Sequence, residues 1–525
     1  MRDNSWIGNY SYFRARLDPE RVAIEDLDTE VQYTYGQLDA RANRLAHFLR
    51  DDCGIHQGDR IGVVSRNRVE MIDAYYATGK LGAILVPYNA RLSPAELAQL
   101  VRSESPRVLF YEDAFSDSIQ ALADGPVEQF VRLGEASGTH LAYEAVLSRQ
   151  PDDPVACAAL ELEDIHLIIH TGGTTGAPKG ALISYRSEVF NSFNEICSWG
   201  LGPTDSAVIL LPLFHTGGWN LLTLPLLHVG GKIFLSRAFD PAQTLEVIAR
   251  ERTTCLFGAA TIFRMMVERP EFEAADLSSL RFAMAGAAPT PRVIMEAFWD
   301  KGVKCVLGYG MTEAGPNNLS MPADLIPQTV VEQKYASVGK PMYLALVRLI
   351  DDDGNEIAGP NTAGELIWSG PQIFSGYWCN PAETASTLVD GWVHTGDMAE
   401  YDEDGFYSIV GRKKNMFISG GENVFPPEVE TALYEIEAVR ECCVFGVPDD
   451  KWGEVGKAVI SCKPGLTLTK AEVIDALRAR LARYKVPRYV TFVDDVPKNS
   501  VGKIVVAQVV ATYGQPADQE GIDAL

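Results

Sequence analysis

Runs of apolar residues alternate between helical and strand spacing through most of the first 400 positions. Residues 37–51 carry apolar side chains at helical spacing, and residues 60–65 form a short apolar run that predicts a buried strand. The same two patterns return at residues 71–80 and 83–87. Such alternation predicts an α/β fold with several sheets, because helices must cover the faces of each sheet.

A boundary between two domains is predicted near residue 411. A turn and a short strand occupy residues 402–410, and two prolines then precede a helix that begins at Glu428. We therefore expect a large domain of packed sheets and helices over residues 1–411. A small mobile α+β domain is expected over residues 417–525.

The chain has 525 residues, which is more than one ordinary hydrophobic core holds. Hydrophobic residues make up 46% and charged residues 22%, a balance that excludes a mainly disordered or collagen-like protein. The formal net charge of −24 disfavours binding to nucleic acid or to anionic membrane surfaces. Any anionic ligand must therefore be bound by donors concentrated at its own site.

Targeting signals and covalent cross-links are not indicated. The first residues lack the apolar stretch of a signal peptide, and no window approaches 18 uninterrupted apolar residues, so no transmembrane segment is expected. The nine cysteines show no CxxC spacing, which favours reduced core thiols over a metal site or disulfides. These features together predict a cytoplasmic protein.

A basic segment lies in the predicted second domain. Residues 478–488 contain five basic residues and no acidic one. Two interpretations stay open, namely a solvated helix face or a landing site for a phosphate-rich partner.

The segment best suited to chemistry is His170–Gly180, which reads His-Thr-Gly-Gly-Thr-Thr-Gly-Ala-Pro-Lys-Gly. Its glycines let the backbone curl and its threonines offer hydroxyl donors, as a cradle for phosphate oxygens requires. A Walker A loop is disfavoured, because that motif needs serine or threonine after its lysine and opens a helix. Here Gly180 follows Lys179, and both flanks have strand patterns. A plain hairpin turn is the structural alternative.

This segment resembles the phosphate-binding signature of the adenylate-forming superfamily, which includes acyl-CoA synthetases, peptide-synthetase adenylation domains and luciferases. It departs from that signature at Gly173, where serine is common. The resemblance implies that the hydroxyls of Thr171, Thr174 and Thr175 contact phosphate, and that Thr171 also contributes to the metal site. The other residues that it places at the nucleotide here are Gly172, Gly173, Gly176 and Lys179.

Further motifs follow in the order that the superfamily shows. Residues 309–313 read Tyr-Gly-Met-Thr-Glu, a pattern in which Thr312 contacts the α-phosphate and Glu313 helps to hold Mg²⁺. A hard cation bound to ATP needs few protein carboxylates besides phosphate oxygens, which agrees with this assignment. Asp397, in Thr-Gly-Asp, is implied to grip the ribose hydroxyls, with Arg412 near ribose and phosphate. The other implied nucleotide residues are Gly286, Ala287, Ala288, Tyr309, Gly310, Met311 and Ile409.

The second domain carries a lysine motif, Pro-Lys-Asn-Ser-Val-Gly-Lys-Ile, at residues 497–504. The resemblance implies that Lys503 bridges the carboxylate and the α-phosphate, where a preorganised cation stabilises the growing negative charge. It also implies a hinge at residues 412–416 that contains Lys414, about which the domain swings between two reaction steps.

The residues implied for the second of those steps are Gly420, Gly421 and Glu422. In that setting, residues 451–457 and the basic segment 478–488 are candidate contacts for the phosphates of coenzyme A.

Residues 212–219 resemble the acid-pocket motif of the superfamily. His215 is implied to line the route between carboxylate and incoming thiol, although a buried core histidine is the alternative by composition alone. No aspartate is present to pair with an α-amine, so an amino acid substrate is disfavoured. Glycine at position 310, where acetate-activating relatives carry tryptophan, predicts a deeper pocket. The predicted pocket residues are Phe214, His215, Gly218, Trp219 and Gly310.

Together these motifs identify the chain as a member of the adenylate-forming superfamily. The resemblance implies an AMP-forming acyl-CoA synthetase that uses ATP, Mg²⁺ and coenzyme A. A medium- or long-chain fatty acid is the first expectation for the acid, and an aryl or arylalkanoic acid is the second. The alternatives are an adenylation enzyme that loads a carrier protein, a catalytically silent nucleotide-binding relative, and luciferase chemistry. A homodimer is the assembly considered.

Overall fold

The computed structural model describes residues 6–134, 140–171, 178–286, 290–498 and 504–517. These ranges contain 17 α-helices and 26 strands. The helices are α1 (Tyr10–Leu17), α2 (Tyr35–His47), α3 (Val69–Leu81), α4 (Pro94–Glu104), α5 (Ser116–Gln120), α6 (Tyr143–Leu147), α7 (Tyr185–Trp199), α8 (Leu224–Val229), α9 (Pro241–Glu251), α10 (Ala260–Val267), α11 (Pro270–Ala274), α12 (Arg292–Asp300), α13 (Gln328–Gln333), α14 (Pro381–Thr387), α15 (Pro426–Tyr434), α16 (Lys470–Arg478) and α17 (Val506–Tyr513).

The strands are β1 (Val22–Asp26), β2 (Val31–Thr34), β3 (Arg60–Val64), β4 (Ile84–Tyr88), β5 (Val108–Glu112), β6 (Gln129–Leu133), β7 (Leu141–Ala142), β8 (Ile165–Thr171), β9 (Lys179–Ser184), β10 (Ser206–Ile209), β11 (Lys232–Leu235), β12 (Cys255–Ala259), β13 (Phe282–Gly286), β14 (Cys305–Tyr309), β15 (Leu319–Ser320), β16 (Lys340–Pro341), β17 (Leu346–Ile350), β18 (Gly364–Ser369), β19 (Leu388–Val389), β20 (Trp392–Tyr401), β21 (Tyr407–Arg412), β22 (Phe417–Ser419), β23 (Glu422–Val424), β24 (Val439–Asp449), β25 (Gly453–Cys462) and β26 (Tyr489–Phe492).

The elements predicted from hydrophobic spacing lie close to their predicted bounds. The first predicted helix is α2, and the strand, helix and strand that follow it are β3, α3 and β4. Thr34 and Gln37 exchange side-chain and backbone hydrogen bonds at the start of α2, which explains why this helix begins there. The predicted α/β fold with several sheets is confirmed.

Two large sheets form most of the chain. One has the strand order β7-β6-β5-β3-β4-β8-β9 and is parallel except for the antiparallel pair of β8 and β9. The other has the order β16-β15-β14-β13-β12-β10-β11-β1-β2, and its strands from β14 to β1 are parallel. Parallel strands covered on both faces need continuous apolar sequence, and β4 is buried at every position.

Two smaller sheets follow along the chain. The first is antiparallel, with the order β17-β18-β20-β19 and with β21 paired to β20. The second contains β23-β22-β25-β24, with β26 parallel to β25. The apolar core that joins the earlier sheets extends to Phe406, and the two cores around the last sheet begin at Phe417. Within the described ranges, no helix combines the length and the hydrophobicity that a membrane crossing requires.

Candidate active site

The glycine-rich segment is flanked by the antiparallel strands β8 and β9. Their register pairs His170 with Gly180 and Thr171 with Lys179, so the two ends of the segment are adjacent. A Walker A loop is followed by a helix, whereas this segment is followed by a strand, so it is not a Walker A loop. The predicted phosphate contacts between these ends, Gly172, Gly173, Thr174, Thr175 and Gly176, lie outside the described residues.

Lys179 contacts two residues that the motifs did not include. Its side chain forms an ion pair with Glu383 on α14. The ammonium group also lies 5.5 Å from the centre of the Tyr377 ring. Both partners therefore belong to the site, although neither lies in a motif identified from the sequence.

Glu313 lies in a short 3₁₀ turn that follows β14 and also contains Thr312. Both side chains are buried, and the Tyr377 hydroxyl donates a hydrogen bond of 2.6 Å to Glu313 Oε1. Burial raises the pKa of the Glu313 carboxyl, while the hydrogen bond and the nearby Lys179 charge oppose that rise. The carboxylate is thus held in place by a neighbour and remains costly to ionise without a cation.

The donor set at Glu313 fits one kind of metal site. Within the described residues, no three His, Cys, Asp or Glu side chains come together as a ligand group. A metal held by protein ligands alone is therefore not suited to these residues. A single buried carboxylate does suit Mg²⁺ that is bound mainly by ATP phosphates.

Asp397 and Arg412 face each other on the adjacent antiparallel strands β20 and β21. Arg412 Nε lies 2.8 Å from Asp397 Oδ1, and the Tyr309 hydroxyl donates a hydrogen bond to the other carboxylate oxygen. Burial raises the pKa of the Tyr309 phenol well above its usual range, and the nearby negative charge of Asp397 raises it further. Tyr309 ends β14, four residues before Glu313, so one short segment joins the Asp397 pair to the predicted metal carboxylate.

The other predicted nucleotide residues lie near the ends of the same strands. Gly286 ends β13, next to β14 in the sheet, whereas Ala287 and Ala288 lie outside the described residues. Met311 is extended and half-buried just before the 3₁₀ turn. Ile409 is half-buried on β21.

His215 is exposed, which excludes the alternative of a core histidine. Its Nδ1 accepts a hydrogen bond of 3.1 Å from the amide of Gly217. The neighbouring Phe214 is buried and lines a cavity of about 500 Å³. Three arginines also line that cavity, namely Arg66, Arg91 and Arg237.

Trp219 occupies a different place from the predicted one. Its side chain is fully buried, and its ring stacks on Tyr75 with the ring centres 5.3 Å apart. The structure therefore places Trp219 in the core and not on a pocket wall, contrary to the prediction.

Gly218 and Gly310 are required for a reason that the sequence does not show. A Cβ atom at Gly218 would lie 2.1 Å from the carbonyl oxygen of Pro212, and one at Gly310 would lie 2.2 Å from that of Pro316. Close backbone approach therefore demands glycine at both positions. A side chain at position 310 would first meet the carbonyl of Pro316, and the link between Gly310 and pocket depth stays a prediction.

The predicted hinge falls in a short exposed turn. Lys414 lies in the 3₁₀ turn Lys413–Asn415, between β21 and β22. Lys503, the predicted catalytic lysine, lies outside the described residues.

The turn between β22 and β23 carries the residues predicted for the second step. Gly420 and Gly421 have φ angles of +63° and +90°, a region that favours glycine. A Cβ atom at Gly420 would lie 2.8 Å from the ring of Trp452. Glu422 is exposed at the start of β23.

The basic segment 478–488 is largely paired with acidic side chains that come from elsewhere in the chain. Its ion pairs are Arg480 with Glu435, Lys485 with Glu428, and Arg488 with Asp449. Lys457 is fully buried and donates to the carbonyls of Gln515 and Ala517 at 2.9 Å. These three of the five basic side chains are thus already paired, but the segment is not a helix face, because α16 ends at Arg478 and only a 3₁₀ turn at Arg483–Lys485 follows. Lys457, being buried, is removed from the candidate coenzyme A contacts.

Comparison with known proteins places the chain in a family. The family model described as AMP-binding enzyme matches residues 13–378, and the AMP-binding enzyme C-terminal domain matches residues 428–503. A feruloyl-CoA synthase of Amycolatopsis sp is 37% identical over 511 residues, which cover 97% of this chain and 100% of the relative. An indoleacetate–CoA ligase of Aromatoleum aromaticum is 35% identical, with 96% of each chain covered.

Solved structures agree with this placement. ATP-bound MatB from Rhodopseudomonas palustris matches with a TM-score of 0.87 at 30% identity, covering 97% of this chain and 99% of that one. The family models and these relatives make the chain an adenylate-forming enzyme, and it belongs to the AMP-binding enzyme family. It is an AMP-forming acid–CoA ligase that uses ATP and coenzyme A, as its motifs predict.

Proposed function

We propose that this enzyme activates an aromatic carboxylic acid. A carboxylate oxygen of the acid attacks the α-phosphorus of ATP, and pyrophosphate leaves to give an acyl-adenylate. The coenzyme A thiol then loses its proton to solvent and attacks the acyl carbon, and AMP leaves. The arrangement of Thr312, Glu313, Asp397 and Arg412 around the end of β14 supports the adenylation step. The class of acid rests on two buried asparagines and on two relatives.

At the phosphates, Glu313 would hold Mg²⁺ together with ATP, and Thr171 and Thr312 would contribute hydroxyls. When bound, Mg²⁺ offsets the negative charge of the phosphates. Tyr377 fixes one oxygen of Glu313, so the carboxylate is preoriented before the ion arrives. Lys179 supplies a positive charge beside the same carboxylate.

At the ribose, Asp397 would accept hydrogen bonds from the sugar hydroxyls. Arg412 and Tyr309 each bind one oxygen of this carboxylate, which fixes its plane. A carboxylate that is already oriented loses little entropy when the ribose binds, so it favours the nucleotide.

The second domain would move about residues 412–416, between a domain at 1–411 and one at 417–525. The separation of the apolar cores between Phe406 and Phe417 supports this division, and so do the two separate family models. In this proposal Lys503 acts during adenylation, and Lys414 belongs to the hinge. The turn of Gly420, Gly421 and Glu422 acts during thioester formation.

Two buried asparagines near the His215 turn favour a polar, ring-bearing acid over a long alkyl chain. Asn191 donates to the carbonyl of Asn220 at 2.7 Å, and Asn220 donates to Thr216 Oγ1 at 3.1 Å. Among the described residues, neither Oδ1 atom has a hydrogen-bond partner. If the acid reaches these two acceptors beside Thr216, an acid with a hydroxyl group offers them a donor and an alkyl chain does not.

The names of two relatives, a feruloyl-CoA synthase and an indoleacetate–CoA ligase, also refer to aromatic acids. A fatty acid, the first expectation from the sequence, remains the alternative. Curated long-chain fatty acid–CoA ligases are 32% identical to this chain.

For coenzyme A, the cavity beside Phe214 would bind the phosphate-bearing end. It lies next to the exposed His215 and is lined by the three arginines Arg66, Arg91 and Arg237. Arg66 is paired with Glu112, and Arg237 lies 3.7–3.9 Å from Asp26 and Asp28, so a phosphate would compete with these carboxylates for the guanidinium groups.

The decisive experiment is a pyrophosphate-release assay over hydroxycinnamic, benzoic, indoleacetic and C2–C18 fatty acids, with coenzyme A or a holo carrier protein as acceptor. We expect the highest kcat/KM for a hydroxylated aromatic acid, with coenzyme A required for thioester formation. Higher kcat/KM for a C12–C18 fatty acid would overturn the aromatic assignment. Pyrophosphate release with no thioester to coenzyme A would contradict the proposed acceptor.

A cytoplasmic location and a homodimer are proposed from the sequence. Fractionation of the native host tests the location. Analytical ultracentrifugation tests the dimer, since a single species with the mass of one chain would contradict it.

A further inference from the structure

A buried histidine–glutamate pair lies beside the strands that flank the glycine-rich segment. His170 Nε2 and Glu104 Oε1 are 2.7 Å apart, and the two side chains are only 5% and 2% exposed. Because a carboxylate accepts hydrogen bonds, Nε2 is the donor. Within the described chain, His170 Nδ1 is buried without a partner. Burial raises the pKa of the Tyr88 phenol, and Glu104 lies close enough to that hydroxyl to raise it further.

The pair joins the end of helix α4 to the end of strand β8, where β8 pairs with β9. Glu104 is the final residue of α4, and Arg60 Nε donates to its carbonyl oxygen at 2.7 Å. His170 precedes Thr171, where β8 ends, and the ring of Tyr88 stacks on the imidazole with the centres 5.6 Å apart. The helix end and the strand end are therefore fixed to each other.

The opposite strand is tied to the same helix end. The backbone amide of Trp378 donates to the carbonyl of Gly180 at 2.8 Å, and its indole Nε1 donates to the carbonyl of Ser103 at 3.2 Å. Gly180 pairs with His170 across the ladder, and Ser103 precedes Glu104. Both strands are thus held to the last turn of α4, one through His170 and one through Trp378.

We infer that Glu104 and His170 are positioning residues for ATP, which anchor the end of the β8–β9 pair, and with it Thr171 and Lys179, to the last turn of α4. This inference rests on the proposed role of the glycine-rich segment. Because the anchored strand ends present Thr171 and Lys179 in one place, less entropy is lost when phosphates bind to them. The effect falls on ATP affinity and leaves the affinities for acid and coenzyme A unchanged.

The chain offers a matched control on the same strand. His166, four residues earlier on β8, forms a buried pair of 3.0 Å between its Nδ1 and Glu188 Oε2. This pair is as buried as the first one but lies at the far end of the strand from the glycine-rich segment. The Nε2 atom of His166 also contacts Thr78 Oγ1 and the Tyr75 carbonyl, so substitution of His166 removes more buried hydrogen bonds than substitution of His170 does. Only the His170 pair adjoins the phosphate site.

The test compares His170→Gln, Glu104→Leu, Glu104→Gln and His166→Gln in the full-length enzyme. ATP dissociation constants come from calorimetry without acid, and KM values for ATP, acid and coenzyme A come from steady-state rates. His170→Gln and Glu104→Leu should raise the ATP constant and the ATP KM by roughly 10- to 100-fold, since small misplacements of binding groups have effects of that size. Glu104→Gln keeps an acceptor for His170 and should restore most of the affinity.

His166→Gln should lower the melting temperature while its ATP constant stays within about twofold of the unchanged enzyme, because its pair lies away from the site. Equal ATP constants in His170→Gln and the unchanged enzyme would overturn the inference, and so would an equal rise in His166→Gln. Substitution of Thr174 by alanine distinguishes the underlying proposal. If Thr174→Ala leaves ATP binding intact, both the phosphate-binding role of the segment and the positioning role of His170 are contradicted. If Thr174→Ala weakens ATP binding but His170→Gln does not, only the positioning role is contradicted.

Discussion

The phenol of Tyr377 donates a hydrogen bond of 2.6 Å to Oε1 of Glu313, across 64 residues of sequence. Burial and the adjacent Glu313 charge raise the pKa of this phenol, so it remains a donor at any working pH. The ring of the same residue also faces the Lys179 ammonium group. One tyrosine therefore connects the two groups proposed to meet the phosphates and their cation.

Substitution of Tyr377 by phenylalanine should reduce Mg²⁺-dependent adenylation while the ring packing stays in place. Loss of a hydrogen bond to a metal-binding carboxylate typically costs about 10- to 100-fold in metal affinity or activity. The rate of acid-dependent pyrophosphate exchange, measured against Mg²⁺ concentration, should shift to higher Mg²⁺. Tyr143→Phe is the control, because Tyr143 donates to buried Asp73 at 2.9 Å without adjoining the proposed site. Identical Mg²⁺ curves for Tyr377→Phe and Tyr143→Phe would contradict the role.

Binding of Mg²⁺ with ATP should release protons from Glu313. Burial raises the pKa of this carboxyl, and a cation requires the ionised form, so cation binding displaces any proton that the carboxyl holds. Affinity should therefore rise as pH increases through the titration of Glu313. Calorimetry in buffers of different ionisation enthalpy measures the proton release. The Glu313→Gln variant should release fewer protons on binding Mg²⁺ with ATP, because its side chain carries none to lose. Equal proton release by the variant and the unchanged enzyme would count against Glu313 as the metal carboxylate.

Replacement of Glu383 by glutamine should tighten ATP binding. Without nucleotide, Lys179 is paired with Glu383, and this pairing competes with the phosphates for the ammonium group. Glu383 is about one-third exposed, and such pairs are worth up to about 1 kcal/mol, so the ATP KM should fall by no more than about fivefold. A higher ATP KM would show that Glu383 acts in the nucleotide complex instead.

Alterations of Lys503 and Lys414 should separate the two steps of the reaction. Lys503→Ala removes the cation proposed to stabilise the adenylation transition state, so it should slow acyl-adenylate formation by orders of magnitude. It should largely spare thioester formation from supplied acyl-adenylate. Lys414→Pro restricts the backbone at the proposed hinge and should show the reverse pattern. Equal losses in both steps, for either variant, would be inconsistent with the assigned role.

Acid should destabilise the protein partly through His228. Burial lowers the pKa of this imidazole to about 4, whereas an unfolded histidine titrates near 6.5, so the unfolded state takes up the proton first as pH falls. The stability that neutral His228 contributes is present above pH 6.5 and is lost as pH falls toward 4, to an extent of about 3 kcal/mol. In His228→Leu, the free energy of unfolding measured with denaturant should fall less between pH 7 and pH 4.5 than it does in the unchanged protein. The exposed His56, changed to glutamine, should leave the slope as it was.

The fold and the motif order could be predicted from sequence because both depend on local patterns. Periodicity placed α2, β3, α3 and β4, and strand patterns on both sides of the glycine-rich segment predicted β8 and β9. Tyr377 and Glu383 were missed because their contacts to Glu313 and Lys179 span 64 and 204 residues and depend on how the sheets pack. An aromatic residue in a mixed segment gives no signal that separates such a role from core packing.

The error at Trp219 and the unforeseen contact at Gly310 have a related cause. A motif identifies Trp219 and Gly310, but it does not show which side of the backbone each residue presents to its neighbours. Trp219 faces Tyr75, and Gly310 faces the carbonyl of Pro316. The buried His170–Glu104 pair was hidden for a similar reason, since a glutamate at a helix end reads as solvent-facing until the helix is docked on a strand.

The contact between Gly310 and Pro316 limits how this enzyme can change its substrate range. Any side chain at position 310 must first displace backbone, so a bulky residue introduced there alone would destabilise the turn that carries Thr312 and Glu313. Adaptation toward a short acid would thus require at least two coordinated changes, with an impaired intermediate between them. Laboratory evolution that starts from this chain should then alter acid preference first through other residues, and a library at position 310 alone should return mostly inactive variants.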